Sequence, residues 1–342
     1  MSDVPWPFQS PGERRLDVLC LGHALVDRLA YVDEEAVDDA RLEHGVMVLV
    51  DADRAAEIER LFDGWLQVAG GSAANTAAGI ASLGGRPGFA GAVGRDEAGA
   101  WYAGDLEAVG VTCTVDTVAS DLPTGVCHVL VTPAGERSMA TSLGAAGWIR
   151  SSTVEAAGIE RAAVLYVEGY LLDAEAAPAV DRAIDLARES GTLIALSLSD
   201  PFVVSRHRDR IAELVFGRTV DVLFGNEEEV LGLTATANLA DAASRLAAPG
   251  RVAVVTRGSA GSLAVLPGET VVVDAVQVDA VADTTGAGDL FAAGFLFALT
   301  SGRSPETALR IGSFAAAEVI GHIGARPAVA LSLAAPAELG GH

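Results

Sequence analysis

The stretch Val281-Ala-Asp-Thr-Thr-Gly-Ala-Gly-Asp-Leu-Phe291 separates two runs of different pattern. Residues 270–278, before it, are rich in β-branched side chains, as is typical of a strand. Residues 290–300, which overlap its end, are small and apolar, as is typical of a buried helix. We therefore predict a strand-to-helix turn here, which is the unit from which parallel sheets with flanking helices are built.

The two glycines of this turn predict an anion site. Gly286 and Gly288 have no side chain where the chain must bend, so the amides of Ala287, Gly288 and Asp289 can point outward together at the first turn of the helix. Asp289 would stand beside these amides, where a carboxylate can accept the proton of a hydroxyl group. This arrangement favours phosphoryl transfer to an alcohol, although a bare GxGD is more often an ordinary glycine turn.

The longer motif Asp283-Thr-Thr-Gly-Ala-Gly-Asp289 resembles the signature of the ribokinase-like (PfkB) carbohydrate and nucleoside kinases. The resemblance implies that Asp289 is the catalytic base and that Gly286, Ala287 and Gly288 form the anion hole. It also implies ATP as the phosphoryl donor, together with Mg²⁺. Neither the P-loop pattern nor a protein-kinase motif set occurs, so the chain would be a kinase of neither kind.

Length and composition limit the class of protein. With 342 residues, 50% of them hydrophobic, the chain is long enough for one large α/β domain with an appendage. A net charge of −23 argues against nucleic-acid and acidic membrane partners. The sequence contains no lysine, so any cationic contact to phosphate is expected from a guanidinium group.

The cysteines and the hydropathy pattern predict a cytoplasmic location. Cys20, Cys113 and Cys127 lie in apolar runs without CxxC spacing, as expected of buried thiols rather than of a disulfide framework or a zinc site. The first residues lack a basic-then-apolar signal pattern, and no apolar run approaches the length of a membrane span. We therefore expect a soluble cytoplasmic protein.

Polar residues near the first strands predict a substrate site. Asp27 interrupts an apolar run that follows a predicted strand over residues 16–22, and the pattern alone equally allows a solvent-facing residue. Gly70 and Gly71 open a helix of small residues, and Asn75, one turn later, supplies both a donor and an acceptor. In the family that the chain resembles, these positions bind the hydroxyl groups of the substrate, as a vicinal diol.

From residue 162 onward, apolar strand patterns alternate with helix patterns, which predicts a parallel sheet with helices on both faces. Ligands of such sheets lie at the carboxyl ends of the strands. One such end, residues 197–203, is similar to the Leu-Ser-x-Pro-Phe stretch of adenosine kinases, in which the Phe borders the nucleobase pocket. Phe202 is the matching residue, with ordinary core packing as the alternative.

The next strand end predicts a magnesium site. Asn226 and Glu229 lie three residues apart in an acidic run, would share one helical face and can hold Mg²⁺ through its waters. An acidic run is also typical of a solvated helix start. The pair matches an Asn-x-x-Glu motif of the family, which implies the magnesium role.

The same resemblance assigns further positions to the nucleotide and to a cation. The nucleotide positions are Thr256, Gly258, Gly261, Asp283 and Gly324. In several relatives, the place of Asp283, with neighbouring carbonyls and here with Asp279, holds a monovalent cation such as K⁺.

A small β-sheet outside the main domain is predicted from residues 28–50 with the β-branched runs at 112–117 and 124–132. In the family such a sheet is a lid over the substrate, and Met47 and Leu49 would contact the substrate from it. Arg137 follows the turn at residues 133–135. A surface arginine is the alternative there, but in an acidic chain Arg137 is a candidate clamp on the transferred phosphate.

The predicted architecture is a ribokinase-like three-layer α/β/α core with a mainly parallel sheet, plus a small β lid. We assign residues 14–27, 51–111 and 141–330 to the core, 28–50 and 112–140 to the lid, and 1–13 and 331–342 to tails. The implied activity is ATP-dependent phosphorylation of the ribose 5′-hydroxyl of a nucleoside, with adenosine favoured.

Two other functions stay open. These are a sugar kinase of the same fold and a non-catalytic nucleotide-binding module, whereas a dehydrogenase is disfavoured because no G-x-G-x-x-G follows the first strand. The expected partners are a nucleoside or sugar and ATP. The sequence leaves open whether the protein is a monomer or a homodimer.

Overall fold

Two β-sheets organise the chain in a computed structural model that describes residues 6–7, 14–118, 121–173 and 175–334. The strands of the described residues are β1 Leu16–Leu21, β2 Leu25–Tyr31, β3 Met47–Leu49, β4 Leu66–Gly70, β5 Pro87–Val93, β6 Thr112–Thr117, β7 Gly125–Val131, β8 Arg137–Ser142, β9 Ala162–Glu168, β10 Leu193–Ser197, β11 Val222–Asn226, β12 Val252–Thr256, β13 Ser262–Leu266 and β14 Glu269–Val273. The α-helices are α1 Glu34–Asp39, α2 Ala52–Glu59, α3 Ser72–Ser82, α4 Glu97–Ala108, α5 Ser151–Ala157, α6 Ala177–Ser190, α7 Pro201–Phe216, α8 Glu227–Thr234, α9 Leu239–Leu246, α10 Ala287–Thr300, α11 Pro305–Val319 and α12 Leu331–Ala334.

The larger sheet has nine strands in the order β14-β13-β12-β11-β10-β9-β1-β5-β6. Its strands pair in parallel except at one edge, where β13 pairs antiparallel with both β12 and β14. The strands are apolar on both faces: Val18 and Cys20 face one helical layer, and Leu19 and Leu21 face the other. Helices α3, α4, α10 and α11 form the first layer, and α5 to α9 form the second. The predicted three-layer, mainly parallel architecture is confirmed.

The smaller sheet has five strands in the order β3-β8-β7-β2-β4. Helices α1 and α2 cover one face, where Val37 and Ile58 pack against Leu130. The opposite face presents Met47 and Asp27, among other residues, to a cavity between the two sheets. This sheet has the position that was predicted for the lid.

The composition of the lid differs from the prediction in two places. Strand Thr112–Thr117 is the edge strand of the larger sheet and pairs in parallel with β5, because α4 returns the chain in the same direction as a βαβ crossover. Strands Leu66–Gly70 and Leu25–Tyr31 belong to the lid, so Asp27 lies on the lid and not on the core. The β-branched pattern identified strands, but it carries no information on the sheet in which each strand pairs.

Parts of the predicted tails pack against the core. The Trp6 ring lies edge-on to Phe295 with centroids 5.6 Å apart, and its indole N–H donates to the carbonyl of Arg303 at 2.8 Å. Leu331, in α12, is buried. Residues 1–5, 8–13 and 335–342 of the predicted tails lie outside the described residues. Among the described helices, none has the length and apolar content that a membrane crossing needs.

Candidate active site

A cavity of about 490 Å³ lies where the carboxyl ends of the parallel strands meet the lid. Most of the predicted site residues line it: Asp27, Met47, Leu49, Gly71, Asn75, Phe202, Asn226, Glu229, Thr256, Gly286, Gly288 and Asp289. The other predicted residues do not line it: Gly70, Arg137, Gly258, Gly261, Asp283, Ala287 and Gly324. Residues far apart in the sequence thus meet at the strand ends, as expected of an α/β site.

Asp289 lies in the first turn of α10 and is half-buried. Its Oδ1 accepts a hydrogen bond from the Ser72 hydroxyl at 2.7 Å, and its Oδ2 accepts from the Asn75 amide nitrogen at 3.0 Å. Burial raises the pKa of Asp289 to about 6; the two hydrogen bonds oppose the shift, and the charge of Glu168 adds to it. The group is therefore ionised at neutral pH and still basic enough to accept a proton.

The glycine turn before Asp289 presents two free amides to the cavity. Gly286 caps α10 with φ of 78°, and a Cβ at this position would lie 2.7 Å from the carbonyl oxygen of Ala325, so only glycine fits. Among the described residues, the amides of Gly288 and Asp289 have no hydrogen-bond partner. The Ala287 amide donates to the Thr284 carbonyl at 3.2 Å, so the predicted cradle of three amides is reduced to two.

Asp283 and Arg137 form a buried ion pair that joins the core to the lid. The Nη2 of Arg137 lies 2.6 Å from Oδ2 of Asp283, and both side chains are buried. The same carboxylate accepts from the amides of Thr285 at 3.0 Å and Gly324 at 2.9 Å. Arg137 is thus held outside the cavity, so this arrangement does not support its predicted role as a phosphate clamp. Gly324 and Asp283 likewise do not line the cavity. Their hydrogen bond joins the segment 283–285 to residue 324.

The predicted monovalent cation does not fit at Asp283. Its carboxylate already has a guanidinium group and two amides as partners, which supply the positive charge that K⁺ would bring. Asp279, the other predicted ligand, is exposed. A cation at this place would have to displace Arg137.

Asp27 projects from the lid into the cavity. Burial raises the pKa of Asp27 to about 7, against the opposing charges of Arg326 and Arg137. Gly70 makes room for it, because a Cβ on Gly70 would lie 2.2 Å from the Asp27 carboxyl carbon. Gly70 was predicted to approach the ligand, but its lack of a side chain serves the Asp27 carboxylate instead.

Asn75 links the substrate end of the cavity to Asp289. One N–H of its amide group donates to Asp289, so the second N–H and the Oδ1 acceptor remain for a ligand. Its Oδ1 is buried and has no hydrogen-bond partner among the described residues. An unsatisfied buried acceptor is costly, and a substrate hydroxyl would satisfy it.

Asn226 and Glu229 form a capping box at the start of α8. The Asn226 Oδ1 accepts from the Glu229 amide at 2.9 Å, while the Asn226 side-chain and backbone nitrogens donate to the two Glu229 oxygens at 2.7 and 3.0 Å. Asn226 is thus the cap residue and not, as predicted, a member of a shared helical face. Burial raises the pKa of Glu229 to about 7, and the charges of Asp200 and Glu228 add to the shift.

This pair of an amide and a carboxylate fits a magnesium ion that is bound through its waters. The described residues contain no group of three or more His, Cys, Asp or Glu side chains placed to ligate a metal directly. Mg²⁺ commonly keeps several waters and uses one or two carboxylates, and a cation would offset the charge of Glu229 beside Asp200. Asn226 and Glu229 are therefore the residues that would hold it.

Of the predicted nucleotide loop, Thr256 alone reaches the cavity. Gly258 and Gly261 belong to the short turn between β12 and β13. In the described part of the chain, no arginine lines the cavity, so the expected guanidinium contact to phosphate has no candidate there. The amides of Gly288 and Asp289 are donors that remain available beside it.

Glu168 and His23 line the cavity but were not predicted from the sequence as site residues. The Glu168 carboxylate is buried and accepts from the amides of His23 at 2.8 Å and Ala73 at 2.9 Å, and it lies 2.9 Å from Nδ1 of His23. It therefore ties together the ends of β1 and β9 and the start of α3. The available signal was an acidic residue that ends an apolar strand just before a glycine.

A family model for the pfkB family carbohydrate kinases matches residues 16–330. The chain belongs to the pfkB family. It is therefore a phosphotransferase that acts on a hydroxyl group, and the predicted family is confirmed.

Several known proteins and solved structures resemble this pfkB kinase along most of its length. Adenosine kinase of Saccharomyces cerevisiae is 30% identical over 329 residues, which cover 90% of this chain and 95% of that protein. The structure of adenosine kinase from Sinorhizobium meliloti has 41% identity and a TM-score of 0.87, covering 94% of this chain and 98% of that chain. A probable sugar kinase from Rhizobium etli has 38% identity and a TM-score of 0.88, covering 96% and 100%.

The Arg137–Asp283 pair predicts how this pfkB kinase responds to monovalent ions. Activity should be the same in potassium, sodium and tetramethylammonium buffers of equal ionic strength, because the guanidinium group already neutralises Asp283. Initial rates at saturating ATP and Mg²⁺ check this. A strong and saturable activation by K⁺ over the other two ions would show that the cation displaces Arg137.

Proposed function

We propose that this kinase transfers the γ-phosphate of ATP to the 5′-hydroxyl of adenosine. The observation that carries the proposal is a single cavity that contains a raised-pKa carboxylate, two free amides beside it and two acceptors suited to ribose. These groups are Asp289, the amides of Gly288 and Asp289, and the oxygens of Asp27 and Asn75. The likeness to adenosine kinases over nearly the whole chain supports the same function.

In the proposed mechanism, Asp27 and Asn75 accept hydrogen bonds from the ribose hydroxyls and place the 5′-oxygen against Asp289. Asp289 takes the proton of this hydroxyl as the new O–P bond forms and the bond to the β-phosphate oxygen breaks, so that ADP leaves. The amides of Gly288 and Asp289 donate to the transferred phosphoryl group. Asn226 and Glu229 are the residues that would hold Mg²⁺, and the bound ion would supply positive charge to the phosphates of ATP.

Apolar and aromatic walls support a nucleobase as the second half of the substrate. Met47 and Leu49 approach from the lid, and Phe202 lies with Tyr170 on the core side, with ring centroids 6.2 Å apart at 40°. Phe202 is 41% exposed, which argues against the alternative that it is ordinary core. Stacking surfaces of this kind suit a flat purine better than a second hydroxylated ring.

A sugar kinase of the same fold is the second candidate. The Rhizobium etli structure, described as a probable sugar kinase, covers 96% of this chain at a TM-score of 0.88. The cavity also contains polar groups beyond those assigned above, including His23, Ser199 and Asp200.

A coupled ATP-consumption assay with adenosine, inosine, guanosine, cytidine, ribose and fructose separates the two candidates. We expect adenosine to be phosphorylated and the product, identified by ³¹P NMR, to be its 5′-monophosphate. Turnover of ribose or fructose with no turnover of any nucleoside would overturn the proposal in favour of the sugar kinase.

The raised pKa values predict the pH dependence. Asp289, with a pKa of about 6, can take a proton only when it is deprotonated, and Asp27, with a pKa of about 7, accepts hydrogen bonds most strongly when it is ionised, so raising the pH through these values should raise kcat/KM. Below pH ~6, where both groups gain protons, the logarithm of kcat/KM should fall with a slope that approaches two. A profile measured from about pH 5 to 9 tests this, and constant activity across the acid limb would contradict it.

A further inference from the structure

An acid–imidazole pair lies on the cavity wall and has no part in the phosphoryl transfer. Asp173 and His207 both line the cavity, next to the aromatic residues Tyr170 and Phe202. The Oδ1 of Asp173 lies 2.9 Å from Nε2 of His207 and 3.3 Å from Nε of Arg206. The Asp173 and His207 side chains are only 28% and 18% exposed, so this is not a solvated surface pair.

The fold brings the two residues together at the nucleobase end of the cavity. Asp173 directly follows the short turn Gly169–Leu172, which also carries Tyr170 at the end of β9. His207 lies inside Pro201–Phe216 but has non-helical angles, φ −114° and ψ 20°, so the helix is broken at this residue. The turn and the break place both side chains beside the aromatic wall, whereas Asp289 and the free amides belong to α10.

The contacts of Asp173 with His207 and Arg206 use one of its two side-chain oxygens. A carboxylate can only accept, so the ring nitrogen that faces it must carry the hydrogen and the imidazole donates to Oδ1. None of the described residues donates to Oδ2 of Asp173. The imidazole fixes one oxygen of the carboxylate, and the other oxygen of this cavity-lining residue stays available as an acceptor.

We infer that Asp173 selects the base of the substrate by accepting a hydrogen bond from the exocyclic amino group of a 6-aminopurine, and that His207 is a positioning residue for its carboxylate. This inference rests on the proposed nucleoside kinase function. A 6-oxopurine would present a carbonyl oxygen to the same carboxylate, so two acceptors would face each other without a proton. A charged acceptor of this kind separates adenosine from inosine, which apolar walls alone would not do.

The test compares three purine nucleosides that differ in the substituent at position 6 and, for inosine, in the hydrogen on N1. We propose to measure kcat and KM for adenosine, inosine and purine riboside, which has no substituent there, with the wild type and Asp173→Ala. The wild type should prefer adenosine over purine riboside by about tenfold to a hundredfold, as expected for a hydrogen bond to a charged group. In Asp173→Ala this preference should vanish through a higher KM for adenosine, with kcat little changed, because the base is remote from the reacting atoms.

Two further variants separate positioning from a general effect on the structure. His207→Gln keeps an amide donor near the place of Nε2 and should retain much of the preference, whereas His207→Leu should lose it. Asp209→Ala removes an exposed carboxylate of the same helix and should leave all three substrates unchanged.

The outcomes distinguish this inference from the function on which it rests. If the wild type phosphorylates nucleosides and Asp173→Ala keeps the wild-type preference, the role of Asp173 is overturned and the nucleoside kinase stands. If the wild type phosphorylates sugars and no nucleoside, both are overturned. If Asp173→Ala fails to fold, an equal preference in His207→Leu and His207→Gln would overturn the inference.

Discussion

Replacing Asp289 by asparagine should lower kcat by about a thousandfold or more while adenosine binding is largely preserved. The asparagine side chain is nearly isosteric and its oxygen can still accept the hydrogen bond from Ser72, but an amide cannot take the proton of the 5′-hydroxyl. Steady-state rates together with calorimetric titration of adenosine measure both halves of this expectation.

A matched control for this variant is Asp279→Asn. Asp279 is exposed in the segment that leads to the same turn, so its replacement removes the same charge without touching the cavity. We expect rates close to those of the wild type. If Asp289→Asn kept more than about one-tenth of wild-type turnover, Asp289 would not be the base.

Replacing Arg137 by methionine should destabilise the protein by about 3–5 kcal/mol and strongly reduce turnover. The change leaves the Asp283 carboxylate buried without its cation. This carboxylate also accepts hydrogen bonds from the amides of Thr285 and Gly324, next to the anion site. The free energy of unfolding, from urea denaturation followed by circular dichroism, gives the size of the loss.

The surface pair Arg150–Asp116 provides the comparison for this variant. Its arginine side chain is 48% exposed, so Arg150→Met should cost no more than about 1 kcal/mol. The double variant Arg137→Met with Asp283→Asn should recover part of the lost stability, because the unpaired charge is gone. If Arg137→Met lowered the free energy of unfolding as little as Arg150→Met, the Arg137–Asp283 pair would not stabilise the segment around residue 283.

The layered architecture could be predicted from the sequence because it depends on local residue patterns. Apolar strands that alternate with helical patterns after residue 162 specify a parallel sheet, and the structure has it. The sheet in which each strand pairs depends on distant residues. Thr112–Thr117 therefore looked like a lid strand, although it pairs with Pro87–Val93 in the core, and Leu66–Gly70 was missed as a lid strand.

The site was predictable where its residues form contiguous motifs, and unpredictable where they stand alone. Asp289 and Asn75 each lie in a glycine-containing motif that identifies them in the sequence, and the structure brings them into contact. Glu168 and His207 are single residues that reach the cavity at a strand end and at a helix break, so no contiguous motif marks them. For Glu168 the sequence signal is weak, an acidic residue at the end of an apolar strand. The role of Arg137 was misjudged because its partner is distant in the sequence.

A crystal structure with adenosine, Mg²⁺ and a non-hydrolysable ATP analogue tests the central claim most directly. We predict that the 5′-oxygen lies within hydrogen-bond distance of the Asp289 carboxylate and that the terminal phosphate accepts from the amides of Gly288 and Asp289. A complex in which the 5′-oxygen points away from Asp289, or in which the terminal phosphate makes no contact with these amides, would contradict it.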